Sequence, residues 1–155
     1  MTALTALKTL PAVDLDFPAG IPGLESARRY RLEPLGTDGI NVFGRLVSLE
    51  PVVLPGTSEV RELALVVAAP GLLWPEYAVE VDDESAELLQ LDDAADAVAL
   101  VVVTLQEDVA ESTANLFAPI VLNPSRGLGV QVVPLGSEEE VGWSMHAPLP
   151  LPTPA

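Results

Sequence analysis

At 155 residues the chain suits a single domain, which at that length buries roughly 68–70% of the surface its unfolded form exposes and so can hold a core without covalent staples. It contains no cysteine, which excludes disulfides, thiolate chemistry and cysteine-bound zinc or iron–sulfur centres and leaves the cytoplasm as the expected location. Its 23 acids against 7 Lys plus Arg give a formal net charge of −16, which argues against direct binding of nucleic acid, where affinity comes mainly from Lys and Arg on phosphates.

The opening MTALTALKTLPAV is mildly apolar but interrupted by Lys8 and Pro11, and no long hydrophobic run leads to a cleavage site, so no secretory signal is expected. Period-two and β-branched runs then dominate. They predict strands near 13–17, 28–33, 40–48, 62–69, 98–105, 118–122, 129–134 and 141–146. The turn signals AGIPG, TDG, LPGTS and PSRG separate them, with glycine supplying positive φ and proline fixing φ. The longest apolar stretch, LALVVAAPGLLW at 63–74, is broken by Pro70 and Gly71 and falls short of the ~20 residues of a membrane-spanning helix, so no membrane partner is expected. One helix is predicted at about 83–90, DESAELLQ, with Asp82 or Asp83 as N-cap and Asp83, Glu84 and Glu87 near the positive end of its dipole. Leu88, Leu89 and Leu91 would anchor it to the sheet. The run VALVVVTL at 98–105 is continuously apolar, as a strand covered on both faces would be. The ending APLPLPTPA has prolines at 148, 150, 152 and 154, which predicts an extended or disordered tail over 148–155 outside any ladder, and hence one domain over 1–147. The fold class expected is mostly β, a compact antiparallel barrel-like or sandwich domain with one short α-helix.

Catalytic and metal chemistry find little support. His146 is the single histidine, with no cysteine or nucleophile motif beside it, so it is expected to be structural or exposed. The acids from Asp82 to Asp96 lack the alternation, central glycine and terminal Glu of a calcium loop. The pairs Asp92/Asp93 and Glu107/Asp108 could supply acid–base chemistry, but adjacent carboxylates are common in turns. PSRGLG is neither a dinucleotide fingerprint nor a P-loop. A non-enzyme with no cofactor and no metal is therefore expected. The charge is distributed unevenly: residues 62–125 carry thirteen acids and no Lys or Arg. Asp82, Asp83, Glu84, Glu87, Asp92, Asp93 and Asp96 form a candidate acidic face for a basic partner, with a merely solvating surface as the other reading.

Two motifs stand out. In TANLFAPIVLN, 113–123, Asn115 and Asn123 bracket an apolar run, and each Asn can cap a turn by bonding backbone groups two or three residues on. Pro119 would open the strand IVL, and Leu116, Phe117 and Pro119 are candidates for an apolar docking patch held by those turns. In FPAGIPGL, 17–24, the glycines allow sharp reversals, Pro18 and Pro22 stiffen the loop, and Ile21 and Leu24 can plug inward. A rigid loop at a barrel mouth and a partner-facing loop through Ile21, Pro22 and Leu24 are both open readings.

These motifs, with LALVVAAP at 63–70, Tyr77, LLQL at 88–91, VVVTLQED at 101–108 and Gln131, resemble in order the FliW family of flagellar assembly factors, from about Val13 to Leu149. The resemblance implies a small β-barrel-like domain in the cytoplasm that binds flagellin before export and binds CsrA, a small RNA-binding translational repressor. In that scheme excess flagellin holds the protein; once flagellin is exported, the protein is released, binds CsrA and lifts repression of flagellin synthesis. Leu24 stands where the family usually has Phe, the stretch 52–62 looks like an extended hairpin, and EEEVGWSMHAPL matches the family's ending only loosely. An alternative from another class is an acidic nucleic-acid mimic that inhibits a basic RNA- or DNA-binding protein; it would compete with RNA for one site, whereas the family's antagonist can act from a neighbouring one.

Overall fold

A computed structural model describes residues 2–5, 11–22, 24, 27–34, 42–53, 60–61, 63–108, 111–134 and 136–149. The turn signals TDG and LPGTS and the proline run from 150 onward lie outside the described residues. Seven strands close a barrel: β2 (Val13–Asp16), β3 (Arg29–Pro34), β4 (Phe43–Ser48), β7 (Ala64–Ala68), β9 (Val98–Thr104), β11 (Ile120–Asn123) and β12 (Leu128–Gln131). Neighbours run β11-β12-β2-β3-β4-β7-β9, and β9 returns to β11; every ladder is antiparallel except the single parallel bridge between β12 and β2. The seven barrel strands fall within three residues of the ranges predicted for them.

Strand alternation explains the barrel interior. Leu15, Tyr30, Leu32, Leu46, Val67, Leu100, Ile120 and Leu122 face inward and are buried, and Phe17 and Ile21 join them from the loop after β2. On the outside, Asp14 faces Arg31 and Glu33 faces Arg45 across strands, with ion-pair distances of 2.7 and 3.0 Å. The Arg31 guanidinium holds the Asp14 carboxyl below its usual range. These groups are half exposed, so they favour the register more than they stabilise the fold.

β9 carries apolar side chains on both faces, as its sequence predicts. Val98 and Leu100 belong to the barrel interior; Ala99, Val101 and Val103 belong to a second core on the outer face. That second core is roofed by β8 (Ala78–Val81), by α2 (Asp83–Leu89), by Tyr77 and by Leu116. β8 itself pairs with β1 (Thr2–Thr5), and within the 52–62 stretch β5 (Val52–Val53) pairs antiparallel with β6 (Val60–Arg61). β10 (Thr113–Ala114) continues the sheet beyond β9, and β13 (Ala147–Pro148) follows it at the edge.

Three expectations are corrected. The strand predicted at 141–146 is absent; Ser137 instead caps α3 (Glu138–Val141) by accepting from Glu140 N–H at 3.3 Å, and Gly142 ends it at φ 87°. S-x-x-E before an apolar residue is a helix start, and reading its valine as a strand residue missed that. Including α1 (Pro70–Leu73), the described residues hold three short α-helices, not one. Pro148 does enter a ladder, opposite Thr113, and Leu149 is buried. It can do so because β13 lies at the edge: Leu149 donates its N–H inward to Ser112 O, so the alternate position, Pro148, needs no donor. Among the described residues no helix is long and apolar enough to cross a membrane.

Tyr77 ties the roof to the barrel. Its hydroxyl donates to Leu116 O at 2.8 Å and its ring meets Trp143 edge-on, centroids 4.8 Å apart. Burial pushes the Tyr77 phenol well above its usual 10.0, so the folded protein keeps it protonated where the unfolded chain ionises. Its contribution is fully present below pH 10.0 and is lost as the pH rises toward the folded value. Tyr77→Phe is expected to cost about 1 kcal/mol at neutral pH and to flatten the alkaline loss of stability. Urea midpoints on either side of pH 10 check both effects; Tyr30, pushed up by burial and then by Glu50, supplies the remaining slope.

Candidate partner-binding surfaces

Strand direction divides the barrel into two ends. β2, β4, β9 and β12 finish at one rim, where β3, β7 and β11 start, so the chain leaves the barrel there after Asp16, Ser48, Thr104 and Gln131. Among the described residues, three of the six exposed large apolar side chains sit just past those strand ends, Leu49 (40% exposed), Leu105 (55%) and Val133 (56%), and Val53 (44%) lies in β5, which follows β4. The opposite rim carries the turn between β11 and β12 and the acid-led α2.

Both singled-out motifs lie at the first rim, but mostly as its floor. Asn115 Oδ1 accepts from the N–H groups of Phe117 (3.1 Å) and Ala118 (3.0 Å), a turn of the kind the spacing suggests. That turn folds the run inward. Leu116 is 2% exposed and Phe117 6%, and Pro119 is buried, so the expected docking patch of Leu116, Phe117 and Pro119 is not at the surface. Pro119 stands just before β11, where its carbonyl accepts from Val132 N–H at 2.9 Å, and Gln131 Nε2 donates to Ala118 O at 3.2 Å. Of the three candidates in FPAGIPGL, Ile21 is the inward plug, Leu24 is half-buried and Pro22 is exposed. Gly20, at φ 72°, makes the reversal. The exposed apolar residues Leu105 and Val133 fall inside the predicted strands 98–105 and 129–134 but lie beyond the ends of β9 and β12. The signal was their position: each directly precedes a polar or proline turn, where alternation no longer guarantees cover.

Asn123 belongs to the other rim. It is 2% exposed, and its Nδ2 donates to Leu89 O at 2.8 Å and to Gln90 O at 3.4 Å, capping the end of α2 across the chain. Gln90, at φ 53°, closes the helix, and Arg126 reaches Gln90 Oε1 at 3.0 Å and Asp92 Oδ2 at 3.4 Å. The remaining acids divide by role. Asp82 accepts from Ser85 N–H at 3.2 Å, and hydrogen bonding with the Ser85 side chain first, then with its backbone N–H, holds the Asp82 carboxyl below the usual range. Asp93 accepts from Ala95 N–H at 3.0 Å, and Asp96 from Asp93 N–H at 3.2 Å. Asp83, Glu84 and Glu87 line the exposed side of α2. Three of the seven acids of the candidate face, Asp82, Asp93 and Asp96, are thus engaged in local turns and caps. Asn123→Ala is expected to cost about 1–3 kcal/mol by stranding the helix carbonyls, read as a lower urea midpoint. Among the described residues no three His, Cys, Asp or Glu groups could hold a metal ion, and His146 is exposed.

The family model for FliW protein matches residues 2–148. The flagellar assembly factor FliW of Bacillus licheniformis is 32% identical over 117 residues, covering 76% of this chain and 74% of that protein. The FliW of Syntrophomonas wolfei is 31% identical over 139 residues, covering 90% and 80%. Among solved structures, a crystal structure of the flagellar assembly factor FliW superposes with a TM-score of 0.69 at 27% identity, covering 87% of this chain and 84% of that one.

Proposed function

The chain belongs to the FliW family of flagellar assembly factors, and from that premise we propose that it binds flagellin in the cytoplasm before export and antagonises a CsrA-type translational repressor. It acts by binding, without catalysis, cofactor or membrane. The match over nearly the whole chain carries the reading. Two ends of different chemistry support two partners. The first rim offers exposed aliphatics to the apolar face of a flagellin segment. The second offers Asp83, Glu84 and Glu87 to a repressor whose RNA-binding surface must be basic, and a negative field there opposes RNA phosphates.

Calorimetric titration with the flagellin and the CsrA-type protein of the same genome tests the proposal. Saturable binding to each, with flagellin displacing the repressor, is expected. Binding to neither sinks it. Displacement of the repressor by RNA at a shared site, with no flagellin binding, moves the role to an acidic mimic.

A further inference from the structure

The barrel closes through β9 and β11, so the chain from Ser137 to Leu149 lies outside that circuit as a strap. It is held to the rest of the molecule by few contacts. α3 buries none of its residues, and β13 meets β10 over two pairs, Thr113 with Pro148 and Ala114 with Ala147. Two further backbone bonds tie it down: Leu116 N–H donates to Ser144 O at 2.9 Å and Leu149 N–H to Ser112 O at 3.3 Å. Its apolar anchors are Trp143, edge-on to Tyr77, and Ala147 and Leu149, both buried in the second core. The strap's own bonds preserve its shape: Ser137 caps α3, Glu138 Oε1 accepts from Met145 N–H at 2.8 Å, and Ser144 Oγ accepts from His146 N–H at 3.0 Å. A segment with these properties opens locally at lower cost than the barrel unfolds.

The surface beneath is fixed without the strap. Tyr77 Oη donates to Leu116 O, Asn115 closes its turn on Phe117 and Ala118, and β10 pairs with β9 on its other side. Lifting the strap therefore uncovers a formed apolar site, with Tyr77, Ala114 and Leu116 beside the outer edge of β10. We infer that this site takes a partner's extended segment in place of the strap, added antiparallel to β10. The strap displays what fits: an aromatic residue, a small one four positions on and an aliphatic one two further, as in Trp143, Ala147 and Leu149. Being tethered, the strap competes at an effective concentration on the order of millimolar, so it sets a threshold that a partner segment must exceed. The inference is independent of the partners assigned to the two rims.

The test titrates the whole isotope-labelled protein with a synthetic peptide of residues 142–149, GWSMHAPL. Weak but saturable binding is expected, with faster amide exchange at Met145, His146 and Ala147 of the protein while Leu116 N–H stays protected. Trp143→Ala in the protein loosens the strap and should tighten the peptide about tenfold, the worth of one aromatic pair. The chain has no cysteine, so Ala114→Cys with Ala147→Cys, which face each other across the ladder, provides a lock: oxidation should abolish peptide binding and reduction restore it. A peptide carrying Trp143→Ser and Leu149→Asp should not bind. No binding by the Trp143→Ala protein, binding that leaves exchange at Met145, His146 and Ala147 unchanged, or equal affinity in the oxidised lock overturns the inference. Flagellin titrated in parallel reads the flagellar role separately: a protein that binds flagellin and refuses the peptide keeps that role and loses the site under the strap.

Discussion

Adding a single methyl group at Gly129 should destabilise this protein by about 1–3 kcal/mol, although the glycine lies in a regular strand and is not held at positive φ. A Cβ at Gly129 would stand 2.6 Å from Phe17 Cζ and 2.8 Å from Cε2. The ring has nowhere to go. Phe17 is fully buried, and on its other side it meets Tyr30 edge-on with centroids 5.3 Å apart. The collision would push the 17–24 loop off the barrel mouth or spread β12 from its neighbours, and either movement reshapes the first rim. Urea unfolding measures the loss. Phe17→Leu, destabilising by itself, should cost less in the Gly129→Ala background than in the parent, because the smaller side chain relieves the clash. Equal costs in both backgrounds would show that the ring does not rest on β12.

The second large effect is on binding. Leu105→Asp and Val133→Asp should each reduce affinity for flagellin by about 30-fold or more, the loss expected for anchors worth at least ~2 kcal/mol. Because both side chains are more than half exposed, their stability cost should stay within about 0.5 kcal/mol. Phe117→Ala should behave in the opposite way: a buried ring is lost, stability falls by roughly 3–5 kcal/mol, and any drop in binding follows unfolding. Calorimetry paired with urea midpoints separates the two classes. Glu84→Lys with Glu87→Lys, at the other rim, should spare flagellin and slow association with the CsrA-type repressor in a salt-dependent way.

Much of the barrel was legible because its strands alternate cleanly and β9 does not alternate at all. Tyr30 and Leu32 between Arg29, Arg31 and Glu33 leave one choice of inward face, and VALVVVTL could only belong to a strand with cover on both sides. Short elements were illegible where local and tertiary signals compete. The two-residue strands β10 and β13 exist because a neighbour offers an edge, and nothing in TA or AP announces them. At the site, Asn115 was readable since its turn is closed within three residues, whereas Asn123 bonds to a helix end 34 positions earlier, a partner no local pattern contains. Phe117 was misplaced for a related reason. An apolar residue flanked by turn formers can face either way, and the Asn115 turn, together with the Tyr77 bond to Leu116 O, settles it inward.

The most direct measurement is hydrogen exchange on this protein alone and bound to the flagellin of its own genome. Slowed exchange at Gln131 and Val133 and around Leu105 and Val53, with α2 unchanged, is the predicted result. Protection confined to α2 and the turn between β11 and β12, with the first rim exchanging as in the free protein, would contradict the assignment of flagellin to the apolar end.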